Sequence, residues 1–149
     1  MAKKIKFKKL NSFAVLPKKA REGDACFDVV ATSKEDLGDG RIRYGLGFAL
    51  QPEVLGEGNQ FDFRPRSSVH KTGMILSNTI GTGDEGYTGE YMAVFYKIIP
   101  SLPDYEVGDR ILQMQVTRSV PVEFVEVDEL LDTERGTGGY GSTDTKFKD

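Results

Sequence analysis

Asp84 lies among glycines, Gly81 and Gly83 before it and Gly86 after it, in the stretch NTIGTGDEGYTGEYMAVFYK from Asn78 to Lys97. A carboxylate at such a hairpin tip is open to solvent and can take a proton from a water, or it can simply shape the turn, which glycine neighbours also favour. Six residues earlier, Asn78 offers an amide that pairs with both donor and acceptor edges of a planar base. Tyr87 either presses on a sugar or packs in a sheet. In RPRSSVHKTG, Arg64–Gly73, Arg66 precedes the hydroxyls of Ser67 and Ser68 at a strand-to-turn junction. There a guanidinium, two hydroxyls and backbone N–H groups can meet one anion, although Arg and Ser are also ordinary surface residues. Two further groups are single polar residues on strands. Asp28 in GDACFDVVAT and Gln113 in GDRILQMQV each need a partner, which backbone or an ion pair supplies as readily as a ligand.

The last candidate is RGTGGYGSTDTKFKD, Arg135–Asp149, with glycine at four of its first seven positions. Successive glycines let backbone N–H groups converge on an oxyanion, and Arg135 adds a fork suited to phosphate. Tyr140 then acts as a lid on a flat ligand or as a surface anchor. With almost no aliphatic residue the segment cannot order itself by burial, so a flexible arm over 135–149 is expected beyond a single domain over 1–134.

Other chemistries lack parts. His70 is the only histidine and Cys26 the only cysteine, so zinc clusters, disulfides and Ser–His or Cys–His pairs cannot be assembled; a hard cation held mainly by phosphate oxygens stays open. The charge is −3, from 20 basic and 23 acidic residues, so no global field draws nucleic acid or anionic lipid, and an anionic ligand must be held locally. No apolar run approaches the roughly 20 residues that cross a bilayer. The start, MAKKIKFKKL, lacks the apolar stretch of a secretory signal, so a cytoplasmic location is expected.

These groups must be carried by strands. Seventeen glycines in 149 residues punctuate short apolar runs, and the spacing predicts strands over Lys4–Phe7, Phe27–Ala31, Arg41–Leu50, Gln60–Phe63, Met74–Leu76, Glu90–Ile99, Arg110–Val116 and Val120–Val127. In the last of these both faces carry apolar groups, which predicts a sheet covered on two sides. Ser67–Lys71 makes one helical turn, and SKEDLGDG, Ser33–Gly40, reads as an acidic loop, either a solvated turn or a place for a protein contact. The pattern is all-β, a barrel or sandwich of the jelly-roll kind.

Taken in order from Ala20 to Asp144, the five stretches resemble the five motifs of trimeric deoxyuridine triphosphatases, the dUTPases. The resemblance implies a homotrimer that uses Mg²⁺ to hydrolyse dUTP to dUMP and pyrophosphate, limiting uracil in DNA and supplying dUMP for thymidylate synthesis. It implies that Asp28 orders water around the metal, and that Arg66, Ser67 and Ser68 hold phosphates, often across a subunit boundary. Asn78 and the Thr82–Gly83–Asp84 tip, with Met92, would read uracil; Tyr87 would crowd a ribose 2′-hydroxyl and Asp84 would activate water. Gln113 would contact the α-phosphate. Arg135, Gly138, Gly139, Gly141, Ser142 and Thr143 would close over the γ-phosphate while Tyr140 stacks on the base. The chain departs from the family pattern at Cys26, Ser68, Leu112 and Tyr140. It departs also at Thr82 and Gly83, where the family has apolar residues, which implies a softer loop around Asp84.

Two rivals differ in chemistry. The dCTP deaminases place a catalytic Glu five residues after the hairpin glycine, and counting from Gly89 that position is Val94. A non-catalytic module that senses dUTP or engages a protein would not need Asp84, Arg135 and the whole arm. No partner protein can be read from the residues.

Overall fold

Short apolar runs closed off by Gly and Pro pair as antiparallel strands. A computed structural model describes residues 2–140. The strands are β1 Ile5–Lys9, β2 Phe27–Val30, β3 Ser33–Gly38, β4 Arg41–Gly45, β5 Phe48–Pro52, β6 Asn59–Pro65, β7 Met74–Leu76, β8 Gly81–Gly83, β9 Met92–Lys97 and β10 Arg110–Arg118, with a single 3-10 turn at Ser67–Lys71. They form sheets in the orders β2-β10-β6-β8 and β3-β4-β9-β7, and a two-stranded β1-β5 pair. The chain is all-β, as its sequence predicts. No helix among the described residues is long and apolar enough to cross a membrane.

Alternation explains the packing. In β4, Ile42 and Tyr44 are buried while Arg41 and Arg43 reach outward; in β6, Phe61 and Phe63 point inward. These side chains join Val29, Phe48, Phe95, Leu112 and Met114 in one core shared by all three sheets. Full burial of each aromatic or aliphatic chain contributes roughly 1.5–3 kcal/mol. Tyr44 meets Phe95 edge-on at 5.8 Å, and its buried phenol donates to the Tyr105 carbonyl at 3.0 Å. Burial, followed by the nearby Asp104 charge, pushes the Tyr44 hydroxyl well above its ordinary pKa.

Three expectations are corrected. Arg41–Leu50 is two strands, because the chain leaves one sheet for another at Gly47. There φ is +71°, and a Cβ would lie 2.6–2.8 Å from the side chains of Asn11 and Thr32, so only glycine fits the corner. The supposed acidic loop is an edge strand, β3, ladder-paired to β4 and fastened by a Glu35–Arg43 ion pair; charges on an exposed edge also discourage further pairing. Val120–Val127 forms no strand. Phe124 is 96% exposed and Val120, Val122, Val125 and Val127 are all exposed, because no strand edge of the same chain pairs with the segment.

At the far end of β9, the Lys97 ammonium donates to the Thr72 carbonyl at 3.1 Å and to Asp104 at 2.6 Å. Lys97, then Lys34, holds the Asp104 carboxyl below its usual range against the opposing effect of burial. A carboxyl whose folded pKa is depressed contributes stability that is whole above its unfolded pKa and vanishes as pH falls through the folded one. Asp104→Asn is therefore expected to cost about 1–3 kcal/mol at pH 7, with the gap to the parent chain closing below about pH 4; urea denaturation at several pH values reads this directly.

Candidate functional site

Strands β2 and β10 and the end of β6 lie side by side, with Gln113 directly opposite Asp28 on one side and Arg64 on the other. The Asp28 carboxylate accepts from Arg66 Nε at 2.9 Å and from Arg110 Nη1 at 2.9 Å. Gln113 donates to the Pro65 carbonyl at 3.0 Å. Where the strand gives way to the 3-10 turn, His70 Nδ1 and the Ser67 carbonyl lie 2.8 Å apart. Cys26, Asp28, Arg66, Ser67 and Gln113 line a cavity of about 270 Å³. Asp24 also lines the cavity, so the two guanidinium groups face two carboxylates, and an anion there would be met by individual guanidinium and hydroxyl donors at close range and not by a net positive charge. Ser68 is half-buried in the same turn but lines neither this cavity nor the next.

The hairpin forms a second cavity, of about 490 Å³, whose walls include Asn78, Thr82, Gly83, Asp84, Tyr87 and Met92. The amide of Asn78 lies beside Gly81, where a Cβ would come within 3.2 Å of its nitrogen. Tyr87 folds back so that its hydroxyl donates to the Glu90 carbonyl at 2.9 Å, while its N–H donates to the Asp84 carbonyl at 3.0 Å, closing the turn. Asp84 is exposed. Met92 is half exposed at the start of β9.

Both hairpin residues that depart from the family pattern make contacts of their own. The Thr82 hydroxyl donates to Asp62 at 3.1 Å on the neighbouring β6, and Gly83 lies against the ring of Tyr91. That ring is 7% exposed and packs on Phe63 at 4.8 Å and Tyr87 at 5.3 Å. Its hydroxyl is buried with no hydrogen-bond partner among the described residues, and burial, helped by Tyr87 and Asp84, pushes its pKa up to about 12. So Tyr91 stays neutral.

The two cavities have no wall residue in common. Phe63 and Leu112 face the hairpin cavity and Gln113 the anion cavity, so strand alternation puts the two on opposite faces of one sheet. The structure thus groups Asn78, Thr82, Gly83, Asp84, Tyr87 and Met92 in one place and Asp28, Arg66, Ser67 and Gln113 in another, and the described part of the arm, residues 135–140, lines neither cavity. Arg135 donates from Nε to the Gly138 carbonyl at 3.1 Å. Arg135, Gly139 and the fully exposed Tyr140 line neither cavity. Gly141, Ser142 and Thr143 lie outside the described residues.

Sequence reasoning missed Arg110, Tyr91 and Glu85. Arg110 stands three residues before Gln113, and a cation heading that strand was the available signal. Nothing local marks Tyr91. Glu85 follows Asp84 directly, and its carboxylate accepts from the N–H groups of Gly56 and Asn59 and from the Asn59 amide.

A family model described as dUTPase matches residues 13–144. The deoxyuridine 5′-triphosphate nucleotidohydrolase of Nocardia farcinica is 38% identical over 142 residues, covering 93% of this chain and 84% of that protein. That of Alkaliphilus metalliredigens is 34% identical over 144 residues, 95% of this chain and 98% of that one. Among solved structures, the Staphylococcus bacteriophage 80alpha dUTPase with dUpNHpp superposes with TM-score 0.74 at 21% identity, over 95% of this chain and 99% of that one. A mutant dUTPase from phage phi11 of S. aureus, described with a structural Mg(II) ion, gives 0.70 at 17%, over 87% and 99%. These two show a shared fold.

Asp28 is the more enclosed partner of its two ion pairs, at 17% side-chain exposure against 54% for Arg110. Asp28→Asn is expected to cost about 1.5–3 kcal/mol of folding stability and Arg110→Ala under about 1 kcal/mol, an ordering that denaturant titration of the two variants checks.

Proposed function

The chain belongs to the dUTPase family, and from that premise we propose how its own residues hydrolyse dUTP to dUMP and pyrophosphate. The observation that carries the proposal is the position of the two cavities on opposite faces of one sheet. With the sheet between them, the hairpin cavity of one copy works with the anion cavity of another. Uracil enters the hairpin cavity, where the Asn78 amide and hairpin backbone read its edge. Cytosine would present a donor to a donor, and the methyl of thymine would find no room. The Tyr87 ring lies under the sugar and crowds a 2′-hydroxyl. Arg66, Ser67, Ser68 and Gln113 of the neighbouring copy hold the phosphates, and the arm closes over them, with Arg135 and the backbone of Gly138, Gly139 and Gly141 on the γ-phosphate, Ser142 and Thr143 alongside, and Tyr140 on the base. Asp84 accepts one proton from a water whose oxygen bonds to the α-phosphorus as the bond to the β-phosphate oxygen breaks.

Mg²⁺ fits this arrangement as a companion of the substrate. Among the described residues no three acidic, His or Cys groups cluster into a cage, and both oxygens of Asp28 already accept from guanidinium groups. Asp28 would therefore act on the ion through water, with phosphate oxygens supplying most of the ligands. When bound, the ion neutralises phosphate charge and stabilises the departing pyrophosphate. Val94, on the hairpin wall, has no group able to move a proton, which disfavours the deaminase reading. The reaction belongs where free nucleotides are, in the cytoplasm.

Assembly as a homotrimer gives the apolar segment over Val120–Val127 a place to go. A groove of about 210 Å³, lined by Ile5, Phe7, Phe27, Leu50 and Val116, runs beside β1, which pairs only with β5. The segment of a second copy seated there would cover Phe124 and its neighbours.

Asp84→Asn is expected to lower kcat for dUTP by about 10²–10⁴-fold. Asp84→Asn and Arg66→Ala chains, each inactive as pure assemblies, should regain pyrophosphate release after being unfolded together and reassembled, because some sites then pair an intact hairpin with an intact anion cavity. Absence of recovery would refute the composite site. A chain ending at Glu134 is expected to keep the far-UV spectrum of the parent and lose turnover.

A further inference from the structure

We propose that Asp84 is aimed by a clamp on both of its chain neighbours, in which Tyr91 and Glu85 are positioning residues for the hydrolysis. This rests on the reading of Asp84 as the proton acceptor. On one side is Gly83. A Cβ there would lie 2.5 Å from Tyr91 Cε1 and 3.1 Å from Cζ, so the phenol ring fills the space that a side chain at position 83 would need. The ring cannot yield, because it is wedged among Phe48, Phe61 and Phe63 at 6.0, 6.2 and 4.8 Å. Gly83 is also in ladder register with Phe61, so the backbone entering Asp84 is fixed from the core.

On the other side is Glu85. One carboxylate oxygen accepts from the Gly56 N–H at 2.7 Å, and the other from the Asn59 side chain at 2.8 Å and the Asn59 N–H at 3.2 Å. Those bonds, the Asn59 amide first, hold the carboxyl below its usual pKa. The anchor is itself fixed. Asn59 is 3% exposed, its side-chain oxygen accepts from Lys3 at 2.8 Å, and the Gly58 carbonyl accepts from the Ser119 N–H at 2.8 Å. An exposed side chain has many directions open to it, and a general base needs one of them. Restraining the peptide units before and after Asp84 limits where its carboxylate can point, without any contact to the carboxylate itself.

The test separates aim from affinity and from folding. Glu85→Gln keeps the shape but turns an amide N–H₂ toward donors; it is expected to lower kcat for dUTP about tenfold or more, since misplacement near 1 Å can cost up to 10²-fold, while KM changes less than threefold and the melting temperature stays within a few degrees. Gly83→Ala should lose kcat similarly, and Gly83→Ala combined with Tyr91→Leu should recover part of it, because the smaller chain makes room for the methyl. A Glu85→Gln enzyme within twofold of the parent kcat, a KM that rises as kcat falls, or losses at 83 and 91 that simply add would overturn the clamp. Asp84→Asn measured alongside distinguishes the two readings. If it still turns over at the parent rate, the assignment of Asp84 fails; if it is inactive while Glu85→Gln is normal, only the clamp fails.

Discussion

The grip of Arg66 and Arg110 on Asp28 ties three strands distant in sequence into one surface, and the chemistry is arranged around it. The carboxylate fixes both cations, each through a 2.9 Å bond, and the register it shares with β10 sets Gln113 beside it. A triphosphate brings about four negative charges to a chain whose own balance is −3. Long-range attraction is therefore unavailable, and neutralisation depends on where a few cations are held. Asp28 fixes two of them, Arg66 and Arg110.

The motifs were legible because each compresses a task into a few neighbouring residues: hydroxyls after an arginine, an acid among glycines, glycines around an aromatic. Most strands were legible too, since Gly and Pro bracket them. What escaped was set by contacts distant in sequence. The β3 edge exists because Glu35 meets Arg43 and a ladder forms with β4, and an acidic string alone does not announce a partner. The break at Gly47 follows from the closeness of Asn11 and Thr32, neither of which is a sequence neighbour. The apolar pattern of Val120–Val127 suggested a strand, but a strand needs an edge to pair with, and none among the described residues meets this segment. Arg110 meets Asp28 across 82 positions, and the packing of Tyr91 against Phe48, Phe61 and Phe63 joins three strands' worth of sequence, so a local window shows at most that a cation or an aromatic is there.

Thr82 and Gly83 illustrate how a departure from a family pattern changes meaning in context. Two polar or absent side chains before an acid suggest looseness when counted as lost apolar contacts. In the structure the hydroxyl finds Asp62 and the space beside Gly83 is taken by the ring of Tyr91, which immediately precedes β9. Packing density is recovered by redistribution, in keeping with cores that tolerate exchange of volume between neighbours.

The strand order has a further consequence. Asp28 and Arg110 meet across 82 positions of chain, with β10 inserted between β2 and β6. Loop-closure entropy must be met before such pairings return any energy, so topologies of this kind fold slowly compared with helical domains of similar stability. During synthesis the N-terminal strands emerge long before the one that completes the anion cavity. The nascent chain thus cannot form that cavity early, and any ligand held there would act late, as a seal on folding already finished.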